Sequence, residues 1–309
     1  MKQKNTVTIG IPAYNEEQNI GLLLPMLFRQ KQKNISLKEI LVYSDASSDN
    51  TNKITSILSK KYPLIKLIKG SSRKGKYFRV NQLFNKCKTD ILVILDADIA
   101  MVGDDFLDKL VTKLISDKKS LMMSAHVIQV RPEGFIAKML YTMFIMEDYM
   151  RISVPNYDIA PNFHGVATAY RNSFIETLSI PTSTTDPHLY IYLAAKKQNG
   201  FRYCLDAAIL QNPPSTIQDV KQLMQRSLGK EDVTLNRIFG ANVIHTAHII
   251  PIKSKIVGIF KCLLKEPFYT PLALLLSFYL VKMVRIKKID KSPIWEINQS
   301  TKKPIISTK

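Results

Sequence analysis

The chain has 309 residues, which is enough for one large α/β domain and a smaller appendage. Lys and Arg total 44 against 25 Asp and Glu, so the formal net charge is +19 and the partner should be anionic: nucleic acid, an anionic lipid surface or a phosphorylated substrate. The sequence has no RRM, zinc-finger or KH signature, which argues against nucleic acid. Three widely spaced cysteines without a CxxC pair argue against a disulfide framework or structural zinc, and they predict a reducing compartment.

The first hundred residues alternate short apolar runs with helical patterns. The runs are Val7–Ile11, Ile40–Tyr43, Leu64–Ile68 and Ile91–Leu95. Runs of this kind are typical of strands buried on both faces, which predicts a Rossmann-like, mostly parallel sheet covered by helices. Ligands bind such sheets at the carboxyl ends of the strands, so the residues that follow each run are candidates for chemistry.

Beyond residue 120 the pattern changes. Leu121–Val130 reads as a longer strand, and Phe135–Met150 has apolar residues at helical spacing. Four methionines, at positions 139, 143, 146 and 150, make that helix pliable. Two interpretations are open: a core helix, or a surface that adapts to a lipid-like acceptor.

The C-terminal third is basic and helical in pattern. Its most apolar stretch, Phe268–Val284, would be about 25 Å long as a helix, slightly less than a ~30 Å hydrocarbon core. A transmembrane helix, an interfacial or re-entrant helix and a purely soluble helix are all open, and flanking lysines on both sides give no orientation. We therefore expect a catalytic domain over residues 1–215 and a membrane-associating region over residues 216–309.

Two aspartates at i and i+2 directly follow the fourth apolar run. Carboxylates such as Asp96 and Asp98 suit Mg²⁺ or Mn²⁺ bridging a diphosphate, although a plain polar turn is the alternative. Asp45 follows the second run, where it could accept hydrogen bonds from a nucleobase or ribose, or form an Asx-turn. These positions predict a nucleotide site at one edge of the sheet.

The segments after the first and third runs also carry candidate site residues. Tyr14 could stack on a base, and Asn15 is predicted to cap a helix with Gln18 completing a capping box. The basic, Gly-containing loop Ser72–Lys76 precedes a helix and could hold phosphates.

Asp186 has two interpretations. Pro187 and an apolar stretch follow it, which predicts a helix N-cap. A carboxylate there could instead act as a general base toward an acceptor hydroxyl.

Six segments occur in a characteristic order: IPAYNEEQNI, VYSDASSDNT, GKYFRVN, ILDADI, HGVATAYR and TDPHLY. Over about residues 6–211 this set resembles the family-2 glycosyltransferases of GT-A fold. The resemblance implies that Asp96 and Asp98 form the DxD motif that binds nucleotide and metal, and that Asp186 is the base of an inverting enzyme. It implies a nucleotide-sugar site that also includes, from the other segments, Pro12, Ala13, Tyr14, Glu16, Asp45, Lys76, His164 and Gly165, with Asn81 supporting the helix after Lys76.

Two departures refine that expectation. Thr185 stands where the family has the Glu of its ED pair, and the QxxRW motif of processive synthases is not intact. The missing QxxRW motif argues for transfer of a single sugar, and the resemblance implies a UDP- or GDP-sugar as the donor. The apolar C-terminal segment and the basic charge predict a lipid-linked or glycan acceptor at the cytoplasmic face of a membrane. A nucleotidyltransferase and a non-catalytic nucleotide-sugar-binding protein are the alternatives.

Overall fold

The computed structural model describes residues 4–227, 232–286 and 299–305, which form a mixed α/β fold. The strands are β1 (Asn5–Ala13), β2 (Ile35–Ser44), β3 (Ile65–Lys69), β4 (Ile91–Leu95), β5 (Ile99–Met101), β6 (Met122–Gln129), β7 (Ala167–Arg171) and β8 (Phe201–Gln211). The helices are α1 (Ile20–Phe28), α2 (Thr51–Lys61), α3 (Lys76–Lys86), α4 (Phe106–Ser116), α5 (Phe135–Ile152), α6 (Asn172–Ile175), α7 (Pro187–Lys196), α8 (Ile217–Ser227), α9 (Val233–Phe239), α10 (Ala241–Ala247), α11 (Ile252–Lys265) and α12 (Tyr269–Ile286).

The strands form one sheet in the order β3-β2-β1-β4-β7-β6-β8-β5. The first four strands of the chain pair in parallel, as predicted. The other half is mixed: β7 runs antiparallel to β4 and β6, β5 is antiparallel to β8, and β6 is parallel to β8. The expectation of a mostly parallel sheet therefore holds only for the N-terminal half.

Strand β4 shows why its sequence is apolar without interruption. Ile91, Val93 and Leu95 point into the core beneath α1 and α4. Leu92 and Ile94 point into a second core on the opposite face, beneath α3 and α7. Since both faces of the strand are covered, every side chain must be apolar, and β4 becomes the centre of the fold.

Helix α5 organises the helices that follow the sheet. Met146 and Tyr141 pack with Cys262 of α11, and Leu140 packs with Val220 of α8 and Leu280 of α12. Of the two interpretations of the methionine-rich stretch, these contacts favour the core helix.

Helix α11 packs on α5 through small side chains. Ser254, Gly258 and Cys262 are buried at spacings of four residues, and a Cβ on Gly258 would lie 2.5 Å from the backbone nitrogen of Met150. The large apolar side chains of α11 point away from the domain, and Leu264 is 70% exposed. Helix α12 covers the apolar segment predicted over residues 268–284. Within residues 4–227, 232–286 and 299–305, no helix combines the length and apolar character needed to cross a bilayer.

Candidate active site

A cleft of about 600 Å³ opens where β1, β2 and β4 end, at the edge of the sheet that strand order predicts for a ligand. Residues between Ile180 and Pro187, which lead into α7, also line the cleft. Of the site residues implied by the resemblance, the cleft is lined by Pro12, Ala13, Tyr14, Glu16, Asp45, Lys76, Asp96 and Asp98.

The turn after β1 differs from the predicted capping box. Asn15 has a positive φ of 52°, so it cannot begin a helix, and α1 starts only at Ile20 with Asn19 at the N-cap position. The Asn15 side chain instead receives a 2.9 Å hydrogen bond from the backbone N–H of Ser48. This contact ties the turn after β1 to the turn after β2, so the two loops form one wall.

Asp45 is buried at the end of β2, and its contacts are internal. Its carboxylate accepts hydrogen bonds from Arg79 Nε at 2.7 Å, from the backbone N–H of Lys74 at 2.9 Å and from that of Gly75 at 2.8 Å. The carboxylate therefore shapes the basic loop 72–76, and the nucleoside contact implied by the resemblance stays a prediction. A buried ion pair of this kind is costly to break by removing one partner, by about 3–5 kcal/mol.

Lys76 connects the loop to the DxD motif. Its Nζ lies 2.6 Å from Asp96 Oδ1 and donates a 2.9 Å hydrogen bond to the carbonyl oxygen of Gly165. Asp96 is therefore already paired with a cation of the chain, and burial raises its pKa against the opposing pull of Lys76.

Asp98 lies in an acidic environment. Loss of solvation, together with the nearby carboxylates of Glu16 and Asp96, raises the pKa of Asp98 to about 7. Burial likewise raises the pKa of Glu16. Nowhere in the described part of the chain do three or more His, Cys, Asp or Glu side chains converge as a ready-made metal cluster. Asp96 and Asp98 nonetheless fit a hard divalent ion, because both supply carboxylate oxygen ligands that diphosphate oxygens could complete.

Two cationic residues contact the turn after β1: Arg73, from the basic loop predicted to hold phosphates, and Lys302, which was not predicted. The Arg73 guanidinium lies 4.1 Å from the centre of the Tyr14 ring. Lys302 reaches the same turn from the C-terminal end of the chain, with Nζ 2.6 Å from Glu16 Oε1. A basic loop was visible around Arg73, but no local signal marks Lys302, because its position depends on contacts with residues far away in sequence.

Asp186 stands between two residues that line the cleft, Thr185 and Pro187. Its Oδ1 accepts a 3.0 Å hydrogen bond from the backbone N–H of Leu189, so the predicted N-cap of α7 is confirmed. Its role as a base stays a prediction.

Asp232, at the N-cap of α9, anchors the loop before Asp186. One of its carboxylate oxygens accepts hydrogen bonds from Thr184 Oγ1 at 2.7 Å and from the backbone N–H of Thr185 at 2.6 Å. The other caps α9 through the N–H of Leu235 at 2.9 Å. A helix from beyond the sheet thus fixes the position of Thr185, the residue that departs from the family pattern.

We expect Asp232→Ala to destabilise the protein by about 2–4 kcal/mol, because it removes a helix cap and leaves buried donors of the loop unpaired. Urea unfolding measures the change. Asp206→Ala is the matched control, because Asp206 forms only an exposed ion pair with Lys113 and its loss should cost less than about 1 kcal/mol. Equal stability of the two variants would contradict an anchoring role for Asp232.

His164 and Gly165 lie behind the cleft wall. His164 Nε2 is 2.7 Å from Arg151 Nη1, and burial lowers its pKa well below the usual value. Gly165 has a φ of +62°, and a Cβ there would come within 2.6 Å of His188 Nε2. Glycine is therefore required at position 165, because the positive φ disfavours other residues and there is no room for a Cβ atom. Burial also lowers the pKa of His188, to about 3, so both imidazoles are neutral at physiological pH.

Comparison with known proteins gives a family match and several partial relatives. The family model described as glycosyl transferase family 2 matches residues 8–178, more than half of the chain. A probable glycosyltransferase of Bacillus subtilis, YdaM, is 35% identical over 101 residues, which are 32% of this chain and 24% of that protein. A dolichol-phosphate mannosyltransferase of Pyrococcus furiosus is 35% identical over 94 residues, 30% of this chain and 26% of that protein. The matches span about a quarter of each relative's length.

A solved structure extends the likeness to most of the fold. The mannosyltransferase PcManGT of Pyrobaculum calidifontis, solved with GDP-Man and Mn²⁺, superposes with a TM-score of 0.58 over 92% of this chain and 83% of that one. The sequence identity is 19%, so the likeness concerns the fold, which is of the GT-A type.

Proposed function

The chain belongs to glycosyl transferase family 2, and from that premise we propose that it moves a single sugar, with inversion, from a nucleotide-diphosphate donor to a lipid-linked or glycan acceptor. Family membership makes it a glycosyltransferase and disfavours the nucleotidyltransferase and the non-catalytic binder. The donor class, stereochemistry, metal and acceptor are parts of the proposal.

The observation that carries the proposal is the grouping of Glu16, Asp96 and Asp98 in one cleft with Lys76 and Arg73. The carboxylates suit a divalent ion, and the two cations suit the phosphates of a nucleotide. The PcManGT structure was solved with GDP-Man and Mn²⁺. GDP-Man is a nucleotide-diphosphate sugar, the donor class proposed here.

In the proposed reaction, Asp186 accepts the proton of an acceptor hydroxyl as its oxygen attacks the anomeric carbon. The bond from that carbon to the diphosphate oxygen breaks on the opposite side, and its electron pair leaves with the nucleoside diphosphate. Lys76 lies next to Asp96, where its positive charge would face the leaving group. A Mg²⁺ or Mn²⁺ ion, held by Asp96 and Asp98, would supply further neutralisation of the departing diphosphate.

The exposed face of α11 supports an acceptor at a membrane. Its outward side chains include Ile256, Phe260 and Leu264, at 61%, 59% and 70% exposure, and Lys253 and Lys261 on the same helix are also exposed. Apolar side chains interleaved with lysines suit a helix lying on an anionic lipid surface. We propose attachment of this kind at the cytoplasmic face. A relative is by name a dolichol-phosphate mannosyltransferase, which fits a lipid-linked acceptor.

The double substitution Ile256→Ser/Leu264→Ser should lower the affinity for anionic vesicles at least about tenfold. Burial of each large apolar side chain contributes about 1.5–3 kcal/mol, and each 1.4 kcal/mol is a factor of about ten. Sedimentation with anionic vesicles measures the affinity. High salt should release the parent from the vesicles only partly.

Ile57→Ser is the control, because Ile57 is 59% exposed on α2. If salt alone released the parent completely, or if the control behaved like the double variant, attachment through α11 would be wrong.

The proposed function is tested by thermal shift with a panel of UDP- and GDP-sugars in Mn²⁺. A ligand that binds only the folded state raises Tm, and at about 100 times Kd it adds about 2.7 kcal/mol. We expect at least one donor to raise Tm in Mn²⁺ and to do so less in EDTA. No shift with any donor would overturn the proposal.

A further inference from the structure

The segment Gln299–Ile305, here called the C-terminal strap, contributes Thr301 and Lys302 to the lining of the cleft and is held in place by hydrogen bonds. The Ser300 hydroxyl donates a hydrogen bond to the carboxylate of Asp219 in α8. It accepts a 3.1 Å hydrogen bond from the backbone N–H of Ser215. Asn19 Nδ2 donates to the carbonyl oxygen of Lys302 at 2.9 Å, and Asn212 Nδ2 donates to that of Lys303 at 2.7 Å. Residues next to the start of α1 and residues at and before α8 therefore hold the strap in place.

The strap places the side chain of Lys302 at the turn after β1. Its Nζ donates to the carbonyl oxygens of Tyr14 at 2.6 Å and Asn15 at 2.9 Å, and it pairs with Glu16 Oε1 at 2.6 Å. The lysine side chain is 18% exposed and that of Glu16 is 10% exposed. All three acceptors belong to the turn after β1, so one ammonium group holds together the whole turn.

That turn is clamped from two directions. Arg73 lies over the face of the Tyr14 ring, while Lys302 holds the Tyr14 carbonyl. Lys302 and its neighbour Thr301 also line the cleft, and about 600 Å³ remain open with the strap in place. A volume of that size still admits a ligand. The strap is thus a wall of the site and does not fill it.

We propose that Lys302 is a positioning residue of the donor site: it holds the Tyr14–Glu16 turn in the shape that receives the nucleoside, so the C-terminal strap is part of the donor pocket. The inference rests on the proposed function. It assigns to a distant segment the cation that offsets the charge of Glu16 beside Asp96 and Asp98.

The test is the affinity of the full chain for GDP and UDP in Mn²⁺, measured by calorimetry. We expect Lys302→Met to weaken binding of the better nucleotide about tenfold, because methionine cannot make the three charge-assisted hydrogen bonds that hold the Tyr14–Glu16 turn. Lys302→Arg should fall between the parent and the methionine variant, since it keeps the charge without the compact ammonium geometry.

Lys303→Met is the matched control, because Lys303 is the next residue on the same strap and is exposed. It should bind like the parent, and all variants should melt near the parent. Parental affinity in Lys302→Met would overturn the inference, and so would tighter binding, because Lys302 would then oppose the nucleotide. A parent that binds neither nucleotide would overturn the proposed function, and this inference with it.

Discussion

Asp186→Asn should lower turnover of the donor by at least about a hundredfold while Tm stays close to that of the parent. A positioned base contributes about 10²–10⁴-fold in rate, and a neutral amide cannot take the proton of the attacking hydroxyl. Asparagine caps a helix about as well as aspartate, so the hydrogen bond from Leu189 to the cap should survive. Release of nucleoside diphosphate at saturating donor measures the rate, and nucleotide binding should be unchanged.

Asp105→Asn provides the matched control, because Asp105 occupies the N-cap position of α4, away from the cleft. It should keep parental turnover. If Asp186→Asn retained more than about a tenth of parental turnover, Asp186 would be only a cap. His188 and His164 would then be weak substitutes as bases, because burial lowers the pKa of both imidazoles.

Asp98→Asn should abolish the Mn²⁺-dependent part of donor binding. The substitution removes a carboxylate from the proposed metal site and leaves β4 untouched. The part of the donor-induced Tm gain that depends on Mn²⁺ should therefore disappear in the variant. Binding that is the same in Mn²⁺ and in EDTA for both proteins would show that the DxD assignment is wrong.

The same variant should change how stability depends on pH without metal. The folded-state pKa of Asp98 is about 7 against an ordinary value of 3.8, so the folded protein binds this proton more tightly than the unfolded chain does. That stability is present at low pH and is lost as pH rises from about 4 through about 7. At pH 8 without metal, Asp98→Asn should therefore melt several degrees above the parent, since about 1 kcal/mol shifts Tm by roughly 2–4 °C. A variant that melts below the parent would contradict the pKa assignment.

The parallel half of the sheet could be predicted because its strands carry a local signal. Ile91–Leu95 was placed to the residue, since a strand buried on both faces must be apolar throughout. β5, β7 and β8 were not predicted. β5 has only three residues, and β7 contains the polar residues Thr168 and Arg171, so neither forms a long apolar run. Their positions follow from tertiary pairing, which no short window of sequence records.

The same division applies to the cleft. Asp96 and Asp98 could be placed because they follow a predicted strand and strand ends meet at one edge. Asn15 was wrongly predicted as a helix cap, because the pattern of residues 15–18 also suits a turn that bonds to the next loop. The contacts of Asp232 and Lys302 could not be predicted, since each reaches the cleft from more than 40 residues away in sequence. Long-range polar contacts have no periodicity for a sequence pattern to reveal.

The most direct test of the central claim is metal-dependent cleavage of nucleotide sugars. The full chain is incubated with UDP- and GDP-sugars in Mn²⁺ or EDTA, with water as the acceptor, and released nucleoside diphosphate is measured. We predict that the parent cleaves at least one donor in Mn²⁺, that EDTA or Asp98→Asn stops the release, and that Asp186→Asn slows it at least about a hundredfold. Release from no donor, or release at equal rates from the parent and both variants, would contradict the account.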